Sequence, residues 1–221
     1  MPTIAIVSQK GGAGKTTLAL NLLVAAEKAG AEAAALIDAD PQATAAQWGE
    51  WRERAGREDP VVTSPPPKIA RNVQRLKQMG SDFIVIDTPP HADQATSEAV
   101  NVADLALIAC RPASFDLDAI RTTAALLKMR DTPAFVVFNG GPPNAPVLTK
   151  EAGEVAKAMG LPVCPHVLSQ RAAFRDCVGR GLGVLEVPAS AFEAQREVRE
   201  LWGWVGAQPQ VWYPWIKENA A

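Results

Sequence analysis

The residue types that commonly bind metals or form disulfides are scarce, with three cysteines and two histidines in 221 residues. Cys110, Cys164 and Cys177 show neither C-x-x-C nor any other ligand spacing, which argues against a cysteine-bound metal or iron–sulfur cluster and fits a reducing cytoplasm. His91 and His166 have no other metal-type ligands beside them in the sequence, so we interpret both as structural or surface residues.

Long apolar runs and a strong charge imbalance are also absent. No stretch approaches 18 consecutive apolar residues, which predicts that no helix spans a membrane. The first apolar run, residues 4–7, is too short for a signal peptide, and we therefore expect a cytoplasmic protein. The 22 basic and 24 acidic residues give a formal charge of −2, so any affinity for nucleic acid must come from a local patch.

What the sequence does contain is a regular alternation of apolar and amphipathic segments. Strands are predicted at residues 4–7, 33–37, 61–62, 83–87, 105–109, 134–138 and 163–168, and helices after residue 15 and at 44–54, 68–79, 94–102, 117–129 and 150–159. Buried strands separated by helices predict an α/β fold with a three-layer, doubly wound, mostly parallel sheet. We expect a single domain over residues 1–221 with a tryptophan-rich tail at 208–221. The aromatic residues near the C-terminus, for which we predict no role, are Trp202, Trp204, Trp212, Tyr213 and Trp215.

The most informative stretch is residues 9–17, Gln-Lys-Gly-Gly-Ala-Gly-Lys-Thr-Thr, between the first strand and the first helix. Strand, glycine-rich turn and helix is the context of a phosphate-binding loop, in which backbone N–H groups and the helix N-terminus hold an anion. The strict pattern G-x-x-x-x-G-K-[ST] is missing, because Gln9 replaces its first glycine and a second lysine, Lys10, follows. Lys15 is placed to contact the β- and γ-phosphates of a nucleotide, and Thr16 to bind Mg²⁺. The predicted nucleotide-binding residues of the loop are Gly11, Gly12, Ala13, Gly14, Lys15, Thr16 and Thr17.

Polar side chains follow three of the predicted strands, where ligands bind in such sheets. Asp87 ends the run Phe-Ile-Val-Ile-Asp, the Walker B pattern of a metal-holding aspartate. Asp38 and Asp40 follow the second strand, and if the strand conformation continues through both, their carboxylates point the same way, toward the metal's water shell and the attacking water. The alternative is that such aspartates merely cap helices. Asn139 is a candidate for adenine contact, but an asparagine before two glycines is equally a turn residue.

The loop K-G-G-x-G-K-T-T resembles the deviant Walker A loop of the ParA/MinD family of dimeric ATPases. The resemblance covers nearly the whole chain. Leu-Ile-Asp-Ala-Asp-Pro-Gln at 36–42 resembles the family's first switch, Phe-Ile-Val-Ile-Asp-Thr-Pro-Pro at 83–90 its second, and Pro-Ala-Ser-Phe-Asp-Leu at 112–117 the element after its next strand. Residues 168–186 are similar to the family's late segment. The likeness is to the small ParA type, since no helix-turn-helix domain precedes the loop.

This resemblance implies a Mg²⁺-dependent ATP hydrolase that binds ATP and ADP. It implies that Lys10 reaches the partner's nucleotide in an ATP-dependent sandwich homodimer and that Asp40 positions the hydrolytic water. The predicted catalytic residues are thus Lys10, Lys15 and Asp40, and the predicted metal residues are Thr16, Asp38 and Asp87. The implied partners are non-specific DNA and a centromere-binding or cargo adaptor protein that stimulates the ATPase, at the nucleoid.

Two groups of basic residues are candidate DNA-binding surfaces. Arg171 and Arg175 lie four apart on a predicted helix and so share a face, with Arg180 just beyond. The second group, on the predicted helix at 68–79, comprises Lys68, Arg71, Arg75 and Lys77. Basic residues on a helix are equally often a solvated face. If either group binds DNA, we expect contacts to phosphates that weaken with salt.

Four classes of function remain open. They are a ParA-like ATPase that partitions a plasmid, chromosome locus or protein cargo, a MinD-like ATPase that cycles on a membrane, an iron–sulfur carrier, and a metabolic ligase. The first is favoured, because residues 208–221 lack the basic amphipathic helix of the MinD-like class and cysteine pairs are absent. Nothing in the sequence marks a second substrate pocket.

Overall fold

The computed structural model describes residues 1–57, 61–63, 65–91 and 93–211. Its strands are β1 (Thr3–Val7), β2 (Ala34–Asp38), β3 (Val61–Thr63), β4 (Phe83–Asp87), β5 (Leu105–Cys110), β6 (Ala134–Gly141) and β7 (Leu168–Ser169). Its α-helices are α1 (Lys15–Lys28), α2 (Thr44–Arg54), α3 (Ile69–Gln78), α4 (Gln94–Val102), α5 (Ser114–Arg130), α6 (Pro146–Ala158), α7 (Ala172–Val178) and α8 (Phe192–Gly206). The predicted α/β class is confirmed.

The strands form one sheet in the order β3-β2-β4-β1-β5-β6-β7, and each pair of neighbours runs parallel. β1 lies between β4 and β5, so the loop that leaves β1 emerges in the middle of the sheet's carboxyl edge. The register places Ile6 beside Asp87 and Asp38 beside Asp87. Residues far apart in sequence thereby meet next to the glycine-rich loop.

Side chains alternate between two buried layers, one on each face of the sheet. Ile4 and Ile6 of β1 pack into the layer that includes α1, α7 and α8, whereas Ala5 and Val7 pack into the layer that includes α3, α4, α5 and α6. Helices therefore cover both faces, as the continuous apolar strands predicted. Among the described residues, no helix is both long and apolar enough to cross a bilayer.

The prediction of a strand at residues 163–168 is wrong for most of that segment. Only Leu168 and Ser169 form β7, and Val163 adds a single bridge to Val136. Pro165 interrupts the segment, and a proline has no N–H to donate to a neighbouring strand. The strand is therefore reduced to a short edge strand.

Two of the unassigned aromatic residues belong to the core. Trp202 of α8 is buried and meets Phe83 edge to face with ring centroids 5.3 Å apart, and Trp204 meets Phe135 at 4.9 Å. Such pairs add stabilisation beyond the buried area. The other three aromatics, at 212, 213 and 215, lie outside the described residues.

Candidate functional site

The glycine-rich loop is held in an open turn at the start of α1. Gly12 and Gly14 have φ angles of +75° and +83°, a region that favours glycine. A Cβ atom on Gly14 would also lie 2.1 Å from Nδ2 of Asn139, so no side chain fits there. No side chain caps the N-terminus of α1 and its first turn has no acidic residue. The free N–H groups and the positive helix end are therefore available to an anion.

Asn139 fixes this loop from the neighbouring strand. Its Nδ2 donates to the carbonyl oxygens of Ala13 and Gly14, at 3.2 Å and 2.9 Å. Asn139 lies within β6, which continues to Gly141, so the prediction of a turn residue is wrong. Because its amide nitrogen is bound to the loop, Asn139 can offer an adenine only its oxygen.

Lys15 is a buried cation, with 6% of its surface exposed. Burial lowers the pKa of its ammonium group, and the negative charges of Asp87 and Asp40 partly oppose that shift. Among the described residues, the ammonium forms no ion pair or hydrogen bond. A buried charge without a close partner costs free energy, which an anionic ligand would offset.

Thr16 and Asp87 form the arrangement that a divalent cation requires. Thr16 Oγ1 donates to Asp87 Oδ2 at 2.6 Å, and Asp87 Oδ1 is buried without a partner among the described residues. Burial raises the pKa of Asp87 to about 7, and the bond from Thr16 opposes this. An orphaned carboxylate oxygen beside a hydroxyl and a phosphate loop suits Mg²⁺, which keeps several waters and is bound through one or two side chains plus substrate phosphates. The residues present therefore fit a Mg-nucleotide.

The condition on which Asp38 and Asp40 were expected to point the same way, a strand that continues through both residues, is not met. β2 ends at Asp38, so the strand alternation does not extend to Asp40. The Asp38 oxygens accept hydrogen bonds from the backbone N–H groups of Asp40 and Ala46, at 3.1 Å and 2.8 Å. Asp38 thus holds the turn and the first part of α2, while Asp40, half-buried, accepts from Gln42. Burial raises the pKa of Asp38.

Lys10 lies at the corner between β1 and the loop, and 40% of its side chain is exposed. Its Nζ is 3.6 Å from Oδ2 of Asp116, near the start of α5. The two lysines of the loop therefore occupy different environments. Lys15 is buried, whereas Lys10 is partly exposed and forms an ion pair within its own chain.

A cavity of about 500 Å³ begins at this loop. Its lining on the loop side is Gly12, Ala13, Gly14 and Thr17, and the rest comprises Arg111, Asn139, Gly140, Ser169, Gln170, Arg171, Phe174, Arg175 and Val178. Of the predicted nucleotide-binding residues, Gly11, Lys15 and Thr16 are not part of this lining, and Gly11 is exposed. Arg111 was missed from the sequence, although it follows β5 directly and the strand-end argument used for the aspartates would have found it.

The predicted DNA-binding arginines do not form one helical face. Arg171 precedes α7 with an extended backbone, and its guanidinium is held by Glu197 at 2.7 Å. The prediction that it shares a face with Arg175 is wrong, because the helix begins one residue later. Arg175 is 83% exposed beside Asp176, and Arg180 is exposed. Lys68, which directly precedes α3, is exposed, as are Arg71 and Arg75 of that helix, and Lys77 is half-buried.

The fold and the loop together define a phosphate-loop nucleotide-binding protein. Residues 4–184 match the family described as the CobQ/CobB/MinD/ParA nucleotide binding domain. The chain belongs to this family, and within it to the ParA/MinD ATPases. The resemblance noted from the loop and the two switch segments is confirmed.

The similar proteins agree with this assignment. A "Maintenance of carboxysome distribution protein A" from Halothiobacillus neapolitanus is 30% identical over 90% of this chain and 94% of its own. A septum site-determining protein MinD from Pyrococcus horikoshii, complexed with Mg-ADP, superimposes with a TM-score of 0.73 at 21% identity, covering 93% of this chain and 96% of that one. An ATP complex of McdA from Cyanothece gives a TM-score of 0.71 at 16% identity, covering 94% and 97%. The two structures show the shared fold.

Proposed function

We propose that this protein is a Mg²⁺-dependent ATP hydrolase of the small ParA type. It forms an ATP-dependent sandwich homodimer, binds DNA without sequence preference and positions a cargo through an adaptor protein. The observation that carries this proposal is the contrast between the two loop lysines, one buried and one 40% exposed. A loop that acted only within its own subunit would need Lys15 but not Lys10.

Within one subunit, the loop and Lys15 bind the phosphates. The backbone N–H groups and the Lys15 ammonium neutralise the charge of the β- and γ-phosphates, and Thr16 with Asp87 would hold Mg²⁺. That cation supplies further charge neutralisation on the phosphates when it is bound. Asp40, next to this group and half-buried, orients the attacking water. Phosphoryl transfer to water needs such positioning and charge more than it needs covalent help.

Lys10 acts in trans. To reach the partner's nucleotide it has to leave Asp116, and that exchange is inexpensive because the pair is partly exposed and 3.6 Å apart. A cation supplied in trans is worth about 10³–10⁵ in rate in other nucleotide hydrolases. Hydrolysis therefore requires dimerisation, and the rate of hydrolysis sets how long the ATP-bound dimer persists.

DNA is held by exposed cations near α7 and on the helix α3. With Arg171 bound to Glu197, the surface near α7 is reduced to Arg175 and Arg180. The exposed face of α3 adds a second set of cations on a helix that contains no acidic residue. Contacts of this kind go to phosphates and carry no sequence information.

The cargo is a large protein assembly. The Halothiobacillus relative, similar over nearly its whole length, is a carboxysome distribution protein, which supports a protein cargo over a plasmid. A pull-down with ATP and with ADP, using the product of the neighbouring reading frame as bait, identifies the adaptor.

The test of the proposed cycle is made on the parent protein. We expect light scattering to report a dimer with ATP and Mg²⁺ but not with ADP, and only the dimer to sediment with plain DNA. Liposomes of anionic lipid serve as the comparison. Dimer-dependent binding to liposomes and not to DNA would contradict the proposal and favour a membrane-cycling ATPase.

A further inference from the structure

Arg111 lies immediately after β5, beside the phosphate loop. β5 pairs with β1, and the loop leaves the carboxyl end of β1, so the two segments emerge side by side. The residues on either side, Cys110 and Pro112, are both buried. This anchors the backbone of Arg111, while its own side chain is exposed.

The guanidinium lies close to the backbone of two glycines. A Cβ atom on Gly12 would be 3.3 Å from Nη2 of Arg111, and one on Gly140 would be 3.8 Å from its Nε. Gly12 belongs to the turn that cradles the phosphates, and both glycines have positive φ angles. Arg111 therefore lies at the phosphate end of the cavity, with its charged group against its own loop.

Within the ranges that the structure describes, Arg111 lacks the ion pair that each of the other two arginines lining the cavity forms with a carboxylate. Of the three arginines that line the cavity, Arg171 is bound to Glu197 and Arg175 is 3.3 Å from Asp176. Arg111 has no ion pair with any residue in the described part of the chain. The described lining of the cavity contains no carboxylate. Its uncompensated guanidinium therefore favours an anion in this cavity.

We infer that Arg111 binds the phosphates of the nucleotide in its own subunit, as a second cation beside Lys15. This inference rests on the nucleotide binding of the proposed function and adds a residue to that site. A guanidinium suits the role, because its planar fork of N–H donors matches the oxygens of a phosphate. Because Arg111 lies against Gly12 of its own phosphate loop, it would act on the nucleotide of its own subunit. Its role therefore differs from that of Lys10, which acts on the partner's nucleotide.

The test measures nucleotide affinity in a state that does not require dimerisation. Mg-ADP is titrated into the parent, Arg111→Ala and Arg111→Lys, with adenosine as a competitor that lacks phosphates. We expect Arg111→Ala to weaken ADP binding by about tenfold to a hundredfold, the range for a hydrogen bond to a charged group. Adenosine affinity is expected to change less than about twofold, and Arg111→Lys to recover part of the loss, since it keeps the charge but not the fork.

Arg121→Ala is the matched control, because it removes an exposed arginine of the neighbouring helix that pairs with Asp118. Thermal unfolding without nucleotide checks that each variant is folded. ADP affinity of folded Arg111→Ala within twofold of the parent would overturn the inference. If the parent bound ADP but did not dimerise with ATP, the proposed function would fail while the role of Arg111 stood. Absence of ADP binding by the parent would overturn both.

Discussion

Two groups of buried charges, at opposite ends of α1, differ in how completely they are paired. Arg52 of α2 is 5% exposed, and its Nη1 and Nη2 atoms bind Glu186 and Glu27, each at 2.8 Å. Its guanidinium also lies 5.0 Å from the ring centroid of Trp48. Lys15, equally buried, has no ion pair among the described residues. From this difference we infer that the ion pairs of Arg52 stabilise the fold, whereas the charge of Lys15 is suited to pairing with an anionic ligand.

The largest effect is expected where the unpaired charge is removed. Lys15→Met keeps the aliphatic stem but deletes the ammonium group, so nucleotide affinity should fall by more than about a hundredfold. The free energy of unfolding without nucleotide should stay the same or rise, because an unpaired buried charge is lost. Nucleotide titration and denaturant unfolding measure the two effects. A stability loss as large as that of the Arg52 variant would show that Lys15 is structural.

For Arg52, whose charge is paired, we expect the opposite pattern: lower stability and unchanged nucleotide affinity. Arg52→Met leaves Glu27 without the cation at 2.8 Å and leaves Glu186 with Arg57 as its remaining ion-pair partner. Breaking a buried pair in this way costs about 3–5 kcal/mol of unfolding free energy. Nucleotide affinity of the folded fraction should be unchanged. Arg54→Met is the control, since Arg54 is 72% exposed and its pair with Glu50 contributes less than about 1 kcal/mol. Denaturant unfolding of the three proteins decides the point, and equal stabilities would contradict this account of Arg52.

A smaller effect is expected at the exposed arginines near α7. Arg175→Ala combined with Arg180→Ala should weaken binding to every DNA sequence alike and reduce the salt slope by about two. Dimerisation with ATP should survive. The measurement is DNA retention at several salt concentrations, with Arg54→Ala as the control. Unchanged retention would move the DNA surface to α3.

The smallest effect is expected at Asp116. Asp116→Asn releases Lys10 from a partly exposed pair worth less than about 1 kcal/mol, so the ATP concentration at half-maximal dimerisation should fall by less than about fivefold. Light scattering across an ATP titration measures this. A rise in that concentration would mean that the pair supports the dimer and does not restrain Lys10.

Much of the fold was predictable from the sequence because its signals are local. The bounds of α2, β4 and α4 agree with the prediction, since apolar periodicity and flanking turn residues mark them within a few positions. The loop and the Asp87 strand end were likewise found from contiguous residues. Their meeting follows from the parallel register of β1 and β4.

The parts that were missed depend on contacts between distant segments. The bond from Asn139 to the loop joins residues 125 apart, and the Arg52 group joins α1, α2 and residue 186. The four-residue spacing of Arg171 and Arg175 predicts a shared helix face, but Arg171 instead binds Glu197, which lies 26 residues further along the sequence. Spacing along one segment cannot reveal which carboxylate a guanidinium will bind.

The central claim is that Lys10 acts across the dimer while Asp40 acts within its own subunit. Lys10→Ala and Asp40→Ala should each bind ATP, and each alone should lose most ATP turnover. Mixed together, they form heterodimers in which one site has its own Asp40 and receives Lys10 from the partner. Turnover of the mixture should therefore recover to about a quarter of the parental rate, given random pairing in a twofold dimer. A mixture no faster than its two components, formed from variants shown to co-dimerise, would contradict action in trans.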